Sequence, residues 1–251
     1  MNIEYHKFYS RYLGREMEFK VYGSGGKPFV CVPCQSGRFY EFEDMHMIDV
    51  YAPYIEDGRI QVFSIDTIDS ETLASYGDPR MRIERHENWI KYIVEEAIPA
   101  FAEINANCNG GERQKFTVTG LSLGALHAAT LYFRFPDIFD SVMCLSGLYS
   151  NEFYFGDYHD DLTYINSPQQ FIKNMPADHP YLEKYRSGRM IFCVGQGAWE
   201  TETLDSTRYF SEVLSEKHIG AWVDIWGTDV KHDWDWWYVQ AAYFLPKLLD
   251  L

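Results

Sequence analysis

FTVTGLSLGALHA (residues 116–128) joins a short apolar run to a helix-forming run through Gly120-Leu-Ser122-Leu-Gly124. Gly-x-Ser-x-Gly at such a junction is typical of a strained strand-to-helix turn that presents a serine hydroxyl above a sheet. The glycines let neighbouring backbone approach the turn without Cβ clashes. We therefore predict Ser122 as a nucleophile and the Leu123 amide as a donor to a developing oxyanion. The alternative is a tight turn with a purely structural role.

Short apolar runs recur on both sides of this turn and predict strands. Such runs, most of them ending near Gly or Asp, are typical of strands buried on both faces of a parallel sheet. Ahead of them, residues 3–13 and 16–23 alternate in polarity around Gly14-Arg15, which predicts an antiparallel hairpin. The apolar runs are FVCVP (29–33), IQVFSID (60–66), FTVTG (116–120), SVMCLSG (141–147), MIFCVG (190–195) and AWVDIWG (221–227).

Helical patterns between these runs set the fold class. Residues 84–98 place Trp89 and Ile93 on one apolar stripe, and Pro99 should kink or end that helix. Two antiparallel strands followed by six strands with helical crossovers predict an eight-stranded α/β sandwich with an antiparallel start. We expect a single α/β domain over residues 1–251: an eight-stranded, mostly parallel sheet with an antiparallel N-terminal hairpin and helices on both faces. The other helical runs are 123–135, 206–218 and 234–249.

Residues 148–188 interrupt this alternation of strands and helices. The segment has no strong period and is rich in Tyr, Asp, Asn and Pro. A long irregular segment in a compact domain usually either covers a site or is ordered by local packing. We predict an insertion near the active site that roofs a pocket for an acyl or aromatic-ester group.

The charge balance excludes some classes of partner. The chain has 22 Lys and Arg against 37 Asp and Glu, a net charge of −15. Nucleic-acid binding needs a clustered basic surface, and an acidic protein is repelled by an anionic membrane face. We expect no nucleic acid and no membrane as partners, and we attribute the charge to solubility. Self-association into a homo-oligomer stays open.

The five cysteines favour a reduced, cytoplasmic setting. Four of them lie in apolar runs, as buried thiols do. Cys31 and Cys34 form a C-x-x-C, but their side chains would point to opposite faces of a strand and no second pair follows to make a zinc site. No apolar stretch reaches roughly 18 residues, and the N-terminus lacks the apolar core of a secretory signal. We expect no metal and no cofactor.

A serine near neutral pH needs a base to become a nucleophile. His232 follows the run AWVDIW and precedes the last helix, where loops gather at the carboxyl edge of a parallel sheet. We predict His232 as that base; the alternative is a residue that caps a turn. Of the other histidines, His159 and His179 are candidates for substrate contact from the segment 148–188.

An acid must orient the histidine and stabilise the imidazolium. The stretch after MIFCVG contains Glu200, Glu202 and Asp205. Glu200 is closest to the strand end with a side chain long enough to reach the histidine, so we predict it as the catalytic acid. Asp205 is the main alternative, and Glu202 and Asp229 are further ones.

The loop after FVCVP should supply the second oxyanion donor, because acyl transfer needs backbone N–H groups at the developing charge. We choose the Gln35 amide, with Ser36 as the close alternative. Arg38 either binds a substrate carboxylate or makes a surface salt bridge. Ser36, Arg38, Trp199 and Trp234 are the substrate-pocket candidates; Trp234 has the alternative of clamping the last helix onto the sheet.

These motifs together resemble the putative-esterase branch of the α/β-hydrolase superfamily. That branch includes carboxylesterases similar to S-formylglutathione hydrolase, feruloyl and acetyl xylan esterases, siderophore esterases and mycolyltransferases. The resemblance runs from about residue 15 to the end of the chain. It is carried by PCQSGRFYEFEDMHMID (33–49), GLSLGALHA (120–128), FPDIFDSVMCLSGLY (135–149), CVGQGAWE (193–200) and DVKHDWDWW (229–237), the last similar to a His-x-Trp-x-x-Trp ending.

The resemblance implies a serine esterase that cleaves carboxylic esters through an acyl-enzyme. Its Ser–acid–His triad is carried onto Ser122, Glu200 and His232. Many members have an Asp where this chain has Ala198, whereas the glutamate-using members have the acid after Gly-x-Gly, as here. The expected partner is a small-molecule or oligomeric ester. An acyltransferase with the same triad and a catalytically silent binding protein are the alternatives.

Overall fold

The computed structural model describes residues 1–250, without the side chain of Asp250. It has the predicted α/β-hydrolase fold: an eight-stranded mixed sheet with an antiparallel N-terminal hairpin and helices around it. The chain divides into two compact units, the first over Met1–Thr117 and the second beginning at Val118.

The strands of the first unit follow the order β1-β2-β4-β3. The hairpin is antiparallel, and Gly14 turns it with a positive φ of 67°. The strand β3 pairs in parallel with β4, which is buried along its whole length, as its continuous apolar run predicts. The strands are β1 (Ile3–Ser10), β2 (Arg15–Tyr22), β3 (Lys27–Val32) and β4 (Ile60–Ile65).

The first unit also contains a short 3-10 helix, Asp69–Glu71, and four α-helices: α1 (Glu41–Asp44), α2 (Met47–Glu56), α3 (Pro79–Tyr92) and α4 (Ile98–Cys108). The Asp78 side chain caps α3 by accepting the Met81 amide at 3.0 Å. A π-helical turn, Ile93–Ala97, separates α3 from α4, and Pro99 lies in the first turn of α4. The chain stays helical through this turn, so Pro99 does not end the helical segment; it stands where α4 begins, a position that tolerates proline.

The second unit has strands in the order β5-β6-β7-β8 and seven helices within its described residues. The pairs β6–β7 and β7–β8 are parallel. The strands are β5 (Phe116–Leu121), which begins at the unit boundary, β6 (Phe139–Leu145), β7 (Arg189–Val194) and β8 (Trp222–Ile225). The helices are α5 (Leu123–Arg134), α6 (Glu152–Phe155), α7 (Asp161–Ile165), α8 (Pro168–Lys173), α9 (Tyr181–Ser187), α10 (Thr201–Glu216) and α11 (Trp234–Asp250).

Residues 148–188 form the crossover from β6 to β7 and contain the four short helices α6–α9. Prolines in first turns and at caps explain why one long helix does not form. The buried ring of Tyr149 packs on Phe192 and Phe210, with ring centroids 5.2 and 4.6 Å away. Tyr185 is also buried and packs on Phe133 at 5.0 Å. These two rings of the segment therefore fill the core of the second unit.

Within residues 1–250, no helix is long and apolar enough to span a membrane. All five cysteines are free thiols: Cys31, Cys144 and Cys193 are buried, Cys34 is half-buried and Cys108 is exposed. Burial raises the pKa of the Cys31 and Cys193 thiols well above the ordinary value, so both are held as neutral, unreactive groups.

Candidate active site

Ser122 occupies the sharp turn between β5 and α5. Its backbone has φ 56° and ψ −123°, a conformation that L-residues rarely adopt. Its amide donates to the Leu145 carbonyl at the end of β6, at 3.0 Å. A Cβ on Gly120 would lie 2.0 Å from the Gly124 carbonyl oxygen. Gly120 is thus required by its close packing against the Gly124 backbone, as the sequence pattern predicts.

The side chains of Ser122, His232 and Glu200 form one hydrogen-bonded chain. Ser122 Oγ lies 2.9 Å from His232 Nε2, and His232 Nδ1 lies 3.1 Å from Glu200 Oε2. An ionised carboxylate can only accept, so Nδ1 carries the proton and Nε2 is the acceptor for the serine hydroxyl. This is the arrangement of nucleophile, base and orienting acid that activates a serine. The structure brings together the three residues that the sequence predicted.

The loops that carry the histidine and the acid are joined backbone to backbone. The Gly197 amide donates to the Val230 carbonyl at 2.7 Å, and the His232 amide donates to the Ala198 carbonyl at 3.0 Å. A Cβ on Gly195 or Gly197 would lie only 2.1 or 2.6 Å from the Val230 oxygen. The Gly-x-Gly that precedes the acid is therefore what lets the two loops approach each other.

The Glu200 carboxylate is fully buried and surrounded by donors. Ser146 Oγ donates to Oε1 at 2.5 Å, the Gly195 amide donates to the same oxygen at 3.3 Å, and Thr203 Oγ1 donates to Oε2. Burial opposes ionisation, but the hydrogen bonds from His232, Ser146 and Thr203 outweigh it and hold the pKa of the Glu200 carboxyl below its ordinary value. Glu200 is also the N-cap residue of α10, where the helix dipole favours a negative charge. The acid is thus anionic at neutral pH.

Three side chains of this network, those of Ser146, Thr203 and Trp237, were not predicted as site residues. Trp237 Nε1 donates to Ser146 Oγ at 3.0 Å, and the Trp237 ring meets the His232 ring edge to face at 5.0 Å. In the sequence, Ser146 stands near the end of the apolar run 141–147 and Trp237 in the helical run 234–249. Neither has a local signal, because each acquires its role through residues distant in the chain.

The alternative acids lie away from the histidine. Glu202 and Asp205 have exposed side chains on α10, and Asp229 is exposed in the loop before His232. The exposure of Glu202 and Asp205 follows from their positions on the helix. The buried face of α10 carries Thr203, and residues 202 and 205 lie off that face, toward solvent.

The predicted pocket residues of the second unit differ in their surroundings. Trp199 directly precedes Glu200, has φ 67° and is 84% exposed. Trp234 is half-buried and packs edge to face on Trp237 at 5.2 Å. Of the two histidines in the crossover, His159 is exposed, and His179 Nδ1 accepts the Tyr181 amide at 3.2 Å.

In the first unit, the predicted oxyanion loop follows β3. The Ser36 amide donates to Asp69 Oδ2 at 2.9 Å, and Ser36 has φ 59°. Gln35 is exposed. Arg38 makes ion pairs with Asp66, at 2.7 Å, and with Glu18, which is the salt-bridge alternative named for it. The pKa of Asp66 is raised by burial, and the Arg38 bonds oppose that shift.

The whole chain was compared with curated proteins and with solved structures. No curated protein matches it by sequence. Among solved structures, a ferulic acid esterase is similar, with 17% sequence identity and a TM-score of 0.76 over 99% of this chain and 97% of the other. An S-formylglutathione hydrolase of Agrobacterium tumefaciens has 14% identity and a TM-score of 0.76 over 99% of this chain and 94% of the other. A fluorophosphonate-binding serine hydrolase of Staphylococcus aureus is also similar, with 14% identity and a TM-score of 0.63 over 100% of this chain and 99% of the other. At these identities the likeness shows the fold.

The family assignment rests on a model that spans nearly the whole sequence. The model of the family described as "Putative esterase" matches residues 10–246. This range includes the serine turn, the acid loop and the histidine loop. The chain therefore belongs to the "Putative esterase" family and is a carboxylic ester hydrolase with the α/β-hydrolase fold.

Proposed function

We propose that this protein cleaves carboxylic esters through an acyl-enzyme on Ser122, with His232 as general base and acid and Glu200 as the orienting carboxylate. The observation that carries the proposal is the hydrogen-bonded chain from Ser122 Oγ through both imidazole nitrogens to Glu200. Family membership supports the ester as the bond that is broken.

The proton path follows from that chain. As Ser122 Oγ attacks the ester carbonyl carbon, its proton passes to His232 Nε2, and Glu200 stabilises the resulting imidazolium. Collapse of the tetrahedral intermediate breaks the C–O bond, and the leaving alcohol takes the proton from Nε2. Water then attacks the acyl carbon and loses its proton to Nε2. The bond from that carbon to Ser122 Oγ breaks, Nε2 returns the proton to Oγ, and the carboxylic acid product leaves.

The Leu123 amide is the proposed donor to the oxyanion. Leu123 is the first residue of α5, and the N–H groups of a first helical turn have no acceptor within the helix. The positive end of the helix dipole also favours the negative charge that develops on the carbonyl oxygen. The Gln35 amide stays a prediction as the second donor, with Ser36 as its alternative.

For the substrate, we propose an ester whose acyl group contacts aromatic side chains. The exposed indole of Trp199, the residue before Glu200 in the chain, and the half-buried Trp234, which packs on Trp237, support this choice. A panel of p-nitrophenyl esters with short aliphatic, long aliphatic and aryl acyl groups tests it. Equal kcat/KM across the panel would argue against an aromatic pocket.

A fluorophosphonate probe tests the nucleophile directly, because only an activated serine reacts. We expect labelling at Ser122 by peptide mass and no turnover of p-nitrophenyl acetate by Ser122→Ala. Ser215→Ala, an exposed serine of α10, is the matched control and should behave as wild type. An unlabelled wild type would favour a silent binding protein. Product transfer to an added alcohol in preference to water would favour an acyltransferase.

A cytoplasmic setting is proposed on the state of the thiols. Cys31, Cys144 and Cys193 are free and buried, as structural cysteines are in a reducing compartment. Fractionation of the source cells with a specific antibody tests this, and recovery outside the cytoplasm would contradict it.

A further inference from the structure

The direction of the hydrogen bonds around Ser146 is fixed by what each partner can do. An indole N–H can only donate, so Ser146 Oγ accepts from Trp237 Nε1 at 3.0 Å. The carboxylate of Glu200 can only accept, so the single proton of the Ser146 hydroxyl goes to Oε1 at 2.5 Å. The three groups therefore form a one-way relay from the indole through the hydroxyl to the carboxylate.

The backbone of Ser146 gives an independent sign that its side chain matters. Ser146 follows β6 with φ 53°, in the left-handed region that favours glycine, and it is fully buried. Glycine would adopt this conformation at no steric cost, whereas a serine here carries strain. The strain is retained at a position where the hydroxyl reaches Glu200, and strained residues of this kind concentrate at functional sites.

We propose that Ser146 and Trp237 are positioning residues for ester hydrolysis, which orient and stabilise the Glu200 carboxylate through this relay. The proposal rests on the function proposed above, with Glu200 as the acid. Neither residue touches the reacting atoms; both act through the acid.

The relay matters because Glu200 is buried. Without Ser146, Oε1 keeps the Gly195 amide at the longer distance of 3.3 Å, and bulk water has no access to replace the lost donor. The carboxylate is then held mainly through Oε2, by Thr203 and His232, and can rotate about that side and weaken its contact with His232 Nδ1. Trp237 restrains both partners of the Glu200–His232 hydrogen bond. Its N–H holds Ser146, which in turn holds Glu200, and its ring packs on His232.

The test compares four single variants by steady-state kinetics on one p-nitrophenyl ester. Ser146→Ala and Ser146→Gly each remove the hydroxyl, but only the glycine relieves the backbone. We expect both to lower kcat about tenfold with KM unchanged, since a buried hydrogen bond to a charged group is lost. Trp237→Phe keeps an aromatic ring, though a smaller one, and loses the N–H donor, so its loss of kcat is smaller, about threefold. Trp222→Phe, a tryptophan of β8 that packs on Phe244, is the control and should match wild type.

A double variant and a pH profile separate positioning from general packing. Because both residues act through one relay, Ser146→Ala/Trp237→Phe should lose no more kcat than Ser146→Ala alone. The pH profile of kcat should shift in both Ser146 variants and stay unchanged in Trp222→Phe. Multiplicative losses, a change confined to KM, or wild-type kcat in both Ser146 variants would overturn the proposal. A failure of the proposed function would give a different result, because the wild-type protein itself would then not be labelled by the fluorophosphonate probe.

Discussion

Glu200 Oε2 lies 3.1 Å from His232 Nδ1, and this contact joins a fully buried carboxylate to an imidazole that keeps 18% of its side-chain surface exposed. The acid is held by donors on every side, while the histidine reaches the surface where a substrate can approach. Burial of the acid makes its contact with the histidine hard to replace by water.

Glu200→Gln should lower kcat by about 10³-fold or more, because an amide cannot stabilise the imidazolium and can impose the wrong tautomer on His232. Asp205→Asn is the matched control and should keep nearly full activity, since Asp205 is exposed on α10. The measurement is kcat for p-nitrophenyl acetate at neutral pH. If Asp205→Asn were the more damaging variant, the acid would have to be reassigned.

The stability difference between wild type and Glu200→Gln should depend on pH. The pKa of Glu200 in the folded protein lies below its ordinary value of 4.5, so its ionisation adds stability that is fully present above that value. The contribution is lost as the pH falls through the folded-state pKa. We expect the difference in urea midpoints to reach its full size at about pH 6, where an ordinary carboxyl group is ionised. It should shrink as the pH falls below 4.5. A difference that grew at acid pH would contradict this sign.

Ser122→Gly should be more stable than Ser122→Ala, although both lose the hydroxyl. The φ of 56° at this position strains alanine and suits glycine, and the difference should be about 1–2 kcal/mol. Denaturant unfolding of the two inactive variants measures it. Equal stabilities would mean that the turn carries no strain.

Gly120→Ala should destabilise the fold by about 2–4 kcal/mol, because its Cβ would lie 2.0 Å from the Gly124 oxygen and backbone must move to admit it. Gly220→Ala is the control: nothing lies within 4 Å of its Cβ, and it should be neutral or slightly stabilising. Thermal unfolding of both variants gives the comparison. A Gly120 variant as stable as the control would show that the turn can open without cost.

The fold was predictable from the sequence because its signals are local. Continuous apolar runs marked the mostly buried strands β3 to β7 and also β8, which lies at the sheet edge and is not buried. The alternating segments around Gly14 marked the hairpin, and Pro99 stands in the first turn of α4. The crossover over residues 148–188 was harder, since its helices are too short to show a period and its rings find their partners on other elements.

The sequence by itself determined the serine turn, since Gly120, Ser122 and Gly124 act within one strand-to-helix junction. It also narrowed the acid to a few neighbouring carboxylates. Only the tertiary structure shows which of these lies beside His232, because the backbone hydrogen bonds between the two loops set Glu200 against His232 while α10 turns Asp205 to solvent. The Ser146–Trp237 bond joins residues 91 positions apart, and a contact across that separation depends on how the strands and α11 pack rather than on any local pattern.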